Sequence, residues 1–374
     1  MIYKQSLLTA LLLLLFSVAH GQFDLNHQTN NLFIKPQVRQ QILIPDISGY
    51  KTLKGDFHIH TIFSDGSVWP NVRVEEAWRE GLDVIAITDH LEYQPHKDYT
   101  VSDHNTAYQL AQRKAEEMNV ILVKGTEITK GEVPPGHFNA LFIDDANPIE
   151  NKDASLSIEA AVKQGAFIIW NHPGWKRQQP DTTKWWDYYT TLKSKNMLHG
   201  IEVANSNEWY PVALDWCIDK ELTVFGNSDI HAPINLKYDL SNRHAHRPIT
   251  LIFARDKSMQ SVKEALFEGR TIAWYGNIIA GKESLLSELV SASIELKTAF
   301  RETKKKGNTW CYAELNNTSD IPFVLQDKDG NEIVLKPLSS VIVKFDKKTA
   351  ALNYKVMNAF IGSERRLEIN IPSL

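Results

Sequence analysis

The chain has 374 residues, 43% of them hydrophobic and 23% charged, with a formal net charge of −4. This is ordinary globular composition, enough for one large domain or for one large and one small. Without a basic excess it does not suit a general binder of nucleic acid or membrane surface, and two distant cysteines, Cys217 and Cys311, make no disulfide framework.

At the N-terminus, Lys4 precedes the apolar run LLTALLLLLFSVA, which is followed by small residues and Gln22. This is the form of a secretory signal peptide, and the run is shorter than the roughly 20 residues needed to span a bilayer. Cleavage is expected near Gly21, so that residues 1–21 are the signal and 22–50 a polar lead-in. No later segment is apolar enough for a membrane span, and the mature protein is expected outside the cytoplasm, secreted or periplasmic.

From Gly55, short apolar runs alternate with helical stretches. The runs are DFHIHT, DVIAITDH, VILVKGTEIT, AFIIWNHPG, GIEVANS, LTVFGNSDIH and RPITLIFA. Between them lie NVRVEEAWREG, TAYQLAQRKAEEMN, SIEAAVKQG, PVALDWCIDK and SMQSVKEALFEGR. Near-continuous apolar strands alternating with helices predict a parallel sheet covered on both faces. Their number favours a barrel over 51–285, with an open doubly wound sheet as the alternative. After about Ile279 the pattern becomes WCYAELNN, FVLQDKDGNEIVLKPL, SVIVKF, LNYKVMN and RLEINI, with KDGNE as a hairpin turn. A small all-β, sandwich-like domain is expected over 290–374, with no helix among its strands.

The polar residues gather at the ends of the predicted strands. His58 and His60 are one residue apart, so in a strand they share a face. Asp65 follows in the next loop, and Asp89, His90, Glu127, His137 and His172 occupy later strand ends or loops. Asp229 and His231 repeat the first spacing in SDIH. A lone histidine at a strand end is usually structural or solvated; the joint pattern is what matters. Leaving aside Asp89, the nine imidazole and carboxylate donors would be costly to bury in a dry interior. They are too many for one ion and, lacking thiolate, suit zinc, manganese or iron.

The motifs GDFHIHTIFSDG, ITDH, GTEI, GH, NHPG and SDIH resemble, in order, those of the PHP (polymerase and histidinol phosphatase) superfamily. The resemblance spans about 50–280 and implies an α/β fold, a distorted (β/α)7 barrel holding two or three divalent transition-metal ions. It implies that His58, His60 and Asp229 hold one ion, that Glu127 is shared with a second held by His137 and His172, and that Asp65, His90 and His231 hold a third. Asp56 and Asp89 correspond to supporting acids that orient imidazoles, and Asp89 could instead touch the substrate. The leader, the stretch HRPITLIFA…EALFEGRTIAWYGN and the appended β domain resemble the secreted bacterial Sb-PDE-type phosphodiesterases.

A metal pair bridged by Glu127 can hold a water and lower its pKa, and the chain has neither a GxSxG elbow nor a P-loop. Phosphoester hydrolysis is therefore expected, with Glu127, Asp89 and His231 as catalytic candidates and a small-molecule phosphoester as substrate. Export favours a broad-specificity phosphodiesterase over a phosphomonoesterase of the histidinol-phosphate or nucleotide type. The alternatives are a non-catalytic secreted metal-binding protein and a hydrolase of amides or lactones. Candidate substrate contacts are Arg177, Arg243 and His244, with His246, Trp175 and Trp209 nearby. The run WWDYY at 185–189 reads as helix packing, and His96, His104 and His199 as surface residues. No obligate nucleic-acid partner is expected, and the oligomeric state is open.

Overall fold

The apolar runs between Lys51 and Gly281 form strands almost wholly closed to solvent, and the amphipathic stretches between them form helices that cover the sheet. A computed structural model describes residues 38–373 apart from 102, 243, 244 and 306. The expected signal peptide and most of the lead-in lie outside the described residues. In chain order the elements are β1 (Lys51–Asp56), α1 (Pro70–Arg79), β2 (Val84–Ile87), α2 (Thr106–Met118), β3 (Ile121–Thr129), β4 (His137–Leu141), α3 (Ala154–Lys163), β5 (Phe167–Trp170) and α4 (Asp187–Ser194). They continue with β6 (Gly200–Asn205), β7 (Glu208–Trp209), α5 (Pro211–Asp219), β8 (Thr223–Asn227), β9 (Ile249–Ala254), α6 (Met259–Phe267), β10 (Thr271–Tyr275), β11 (Ile278–Gly281) and α7 (Glu283–Ser293). Helix α1 shows the local logic: Pro70 starts it, and Val74 and Ala77 bury one face.

Seven strands, β1-β2-β3-β4-β5-β6-β8, follow one another by ladder pairing. The remaining gap, between β8 and β1, is spanned by one parallel bridge, Ile59↔Ile230, and by His60 N–H to Ile230 O (3.1 Å) and Asp229 N–H to His58 O (2.9 Å). The ring is therefore distorted. Strand β9 runs antiparallel to both β1 and β10, and the Thr250 and Thr271 hydroxyls donate to carbonyls of β8 at Gly226 and Val224 (3.0 and 2.7 Å).

The sheet is mixed, which corrects the expectation of a parallel one. Strand β4 is antiparallel to both β3 and β5. Only the short stretch KGEVPPG separates β3 from β4, and a parallel crossover needs a dozen residues or more. Helix α7 is a second correction, because it fills the interval where no helix is expected. Its N-cap, Lys282, makes no side-chain capping bond, and its end runs directly into a strand at Ile294, so neither boundary carries a helix signal.

The C-terminal domain is all β. Strand β14 (Asn308–Asn317) pairs with β12 (Ile294–Leu296), β13 (Arg301–Lys305) and β17 (Ser340–Asp346) in one sheet. In the other, β15 (Phe323–Gln326) pairs with β16 (Glu332–Leu335) and with β18 (Ala351–Phe360), which also pairs with β19 (Arg366–Pro372). Strand β18 further pairs in parallel with β11 (Ile279↔Ala359, Ala280↔Phe360), so one sheet runs through both domains. Cys217 and Cys311 are buried free thiols, and among the described residues no helix is long and apolar enough to cross a membrane.

An ion network ties the end of β1 to α1. Arg247, 1% exposed, donates from Nη1 to Asp56 Oδ2 (2.8 Å) and forks onto both oxygens of Glu80 (3.1 and 2.6 Å). Removing one partner of a buried set leaves unpaired charge, so Arg247→Met is expected to cost about 3–5 kcal/mol, read as a lowered urea midpoint with native circular dichroism retained below it.

Candidate metal centre

His58 and His60 extend the line of β1, and their alternation sends both rings to one side while Ile59, fully buried, goes to the other. The chain then turns through 61–66, where the Gly66 backbone passes so close to His60 that an added Cβ would lie 2.7 Å from its carbonyl. That turn presents Asp65. His90 follows β2, Glu127 lies within β3, His137 begins β4 and His172 follows β5. Asp229 and His231 follow β8. His172 and Asp229 both adopt left-handed backbone (φ 30° and 50°), a strained conformation that non-glycine residues keep where the surroundings enforce it.

All nine expected donors fall into three groups, and within each group the ligand atoms lie within 4.8 Å of one another. The groups are His58, His60 and Asp229; Glu127, His137 and His172; and His60, Asp65, His90 and His231. His60 belongs to two of them. Glu127 is fully buried at the centre, with imidazole nitrogens of His58 and His60 at 3.6 Å, His90 at 2.6 Å, His137 at 3.0 Å and His172 at 3.8 Å. Asp229 Oδ1 lies 3.2 Å from His58 Nε2 and 3.0 Å from His60 Nε2, and Asp65 Oδ1 lies 3.0 Å from His231 Nε2.

These groups fit divalent ions. His58 Nε2, His60 Nε2, Asp65 Oδ1 and Glu127 Oε2 are buried atoms without a hydrogen-bond partner, a costly arrangement that a cation relieves. Burial lowers the His60 pKa, and with His231 and His90 nearby it falls to about 3, leaving a neutral ring with a free lone pair. Burial also opposes charge on His58, but Asp229, Glu202 and Glu127 hold that ring well above its ordinary value. His90 is carried against burial, chiefly by Glu127, up to about 9. Burial would raise the carboxyls of Glu127 and Asp229, yet the imidazoles around them keep both well below the usual range. Protons and cations thus compete for the same lone pairs.

The groups behind the donors were largely invisible in the sequence. Glu202, the single acid in the apolar run GIEVAN, accepts from His58 Nδ1 (2.8 Å), the His172 backbone N–H (2.8 Å), Asn205 (2.7 Å) and Asn227 (2.9 Å). Asn171 donates to Glu127 Oε1 (2.9 Å). Arg73, on the buried face of α1, donates to the carbonyls of His60, Ile230, His231 and Ala232 (2.9, 3.2, 2.6 and 2.9 Å) and so clamps both donor-bearing turns. Asp89 lies behind the cluster: its oxygens accept from Thr61 N–H and hydroxyl (both 2.6 Å) and from Ser64 (2.7 Å), whose Oγ is 3.2 Å from His60 Nδ1. It therefore reaches an imidazole only through Ser64. Asp56 touches no ring; it accepts from Arg247, from Ser228 and from the His58 backbone N–H.

A cleft of about 280 Å³ opens over the donors. Trp175 and Arg177 line it, with the guanidinium 5.7 Å from the indole centroid, and residues 205–208 line it as well. Lys237 donates to Ser206 Oγ at this rim. Trp209 does not line the cleft but turns its ring to Phe360. His246 lies against Trp274, the rings tilted at 47° with centroids 3.9 Å apart, in a separate cleft. Arg243 and His244 lie outside the described residues. His104 and His199, expected at the surface, are partly buried; His199 Nδ1 accepts the Ile168 N–H (2.9 Å). The expected packing of WWDYY is seen in Tyr189, which stacks on Trp170 (3.8 Å).

Fold and donor set together define a two-domain α/β protein whose strand ends are built to hold divalent ions. A two-domain protein of Bacteroides vulgatus containing a predicted PHP-like metal-dependent phosphoesterase shares 41% identity and superposes with a TM-score of 0.84, over 90% of this chain and 100% of the other. The chain belongs to this PHP-like phosphoesterase family. Residues 294–372 match the model of an Ig-like domain family. An uncharacterized protein of Methanocaldococcus jannaschii is 24% identical over 200 residues, 49% of this chain and 84% of the other.

Glu202 offers a test of the supporting layer. Glu202→Gln is expected to weaken metal affinity by about 10–100-fold, measured by competition with a chromophoric chelator. His60→Ala should release more metal than His137→Ala, because His60 serves two groups, as read by elemental analysis of the purified variants.

Proposed function

We propose that the chain is a secreted, metal-dependent phosphodiesterase of broad specificity. The observation that carries this reading is the buried Glu127 carboxylate ringed by five imidazoles beneath an open cleft. Two or three ions of zinc, manganese or iron, held by the three groups above, would supply an acidified water and neutralise phosphoryl charge. Glu127 fixes the spacing of the donor groups because its two oxygens face different imidazoles. Arg177 is the single Lys or Arg among the described residues lining the cleft. One cation suits one phosphoryl monoanion, as in a diester, better than the dianion of a monoester. Trp175 offers an aromatic face to a base or aryl leaving group. His231, lining the cleft with its side chain 36% exposed, is accessible to serve a leaving alcohol. Asp89 acts through Ser64 on the His60 ring and does not meet substrate. The secreted part of the reading is supported by the run LLTALLLLLFSVA near the N-terminus.

Protein carrying metal is expected to hydrolyse bis(p-nitrophenyl) phosphate faster than p-nitrophenyl phosphate, and to lose activity with chelator. Glu127→Ala should abolish turnover and release part of the metal. Metal-loaded protein that cleaves neither ester would overturn the phosphoesterase reading, and preference for the monoester would overturn the diesterase reading alone.

A further inference from the structure

Residues 205–208, which line the cleft, sit on a very small hairpin. Strand β7 pairs with β6 only through Ala204↔Trp209 and Asn205↔Glu208, and so short a hairpin is marginal without support. Its first half is held from the ring: the Ser206 N–H donates to Asn227 O (3.0 Å), and Asn205 donates to Glu202. Its second half is backed from the C-terminal domain. Trp209 meets Phe360, the last residue of β18, edge to face at 5.4 Å.

Phe360 is itself fixed in three ways. The Arg366 guanidinium lies 3.4 Å from its ring centroid and donates to the carbonyls of Met357 (3.0 Å) and Ser363 (3.3 Å). Its backbone pairs with Ala280 of β11. The turn that follows is docked on α5 by the Ser363 N–H to Asp215 Oδ1 (2.8 Å). Strand β11 and helix α5 thus hold the end of β18 against the Trp209 ring, two residues before α5.

We infer that the Ig-like domain supports the substrate cleft from behind, with Phe360 and Arg366 as positioning residues that act through Trp209 on residues 205–208. This rests on the proposed phosphodiesterase reading. The metal donors come from other strand ends, so the effect falls on substrate affinity and leaves the ions in place. The domain then buttresses one side of the active site from behind and is not a separate binding module.

In Phe360→Ala, KM for bis(p-nitrophenyl) phosphate is expected to rise about tenfold while kcat stays within about twofold and metal content is unchanged. Phe360→Tyr, which keeps the ring, should restore KM. By hydrogen–deuterium exchange, residues 203–210 should exchange faster in Phe360→Ala while residues 55–62 do not change. An unaltered KM in folded Phe360→Ala would overturn the inference. So would a joint fall of kcat, metal content and protection throughout the ring. If the wild-type protein cleaves no phosphoester, the functional reading fails, and the exchange comparison still decides whether Phe360 holds the hairpin.

Discussion

A carboxylate sealed from water cannot stay charged unless its surroundings hold it so, and at Glu127 the surroundings are five imidazoles within 4 Å. Every donor-bearing strand end is shaped by that requirement. The ring of seven strands brings the imidazoles in from β1, β2, β4 and β5, and the break between β8 and β1 is bridged where His58, His60 and Asp229 must converge. Closure of the fold and convergence of the donors are one geometric event.

Around this centre lies a layer of groups whose task is to stop imidazoles and turns from relaxing. Glu202 fixes the His58 ring and the His172 backbone at once. Asp89 works through Ser64, and Arg73 holds four carbonyls of the two turns beside the cluster. The left-handed backbone at His172 and Asp229 stores strain that these bonds oppose. A loosely held donor set would repack to pair its own acids and bases. Here the buried atoms facing the cleft are left without partners.

The donors were legible because their chemistry is conspicuous against apolar strands: two histidines spaced by one residue, and the SDIH repeat of that spacing, have no comfortable place in a dry core. The supporting layer was harder to see. Arg73 lies in VRVEEAWR, where a basic residue on a helix looks solvated, and its burial depends on a turn far away in the chain. Glu202 left one signal, an acid inside GIEVAN, which alternation alone cannot assign to the interior. The all-β character of the C-terminal segment followed from its alternating runs, and its match to an Ig-like family agrees. The antiparallel β4 and helix α7 escaped for local reasons: a connection too short for a crossover in one case, and absent caps in the other.

The parallel pairing of β18 with β11 has a consequence for how the chain can be divided. Strand β11 is the sequence IIAG, buried for all but its first residue, and its outer edge is covered by the C-terminal domain. A truncation after α7 would leave that apolar edge with open backbone groups, a template for pairing with other chains. The last part of the chain therefore occupies the edge through which the first would otherwise be open to pairing with another copy.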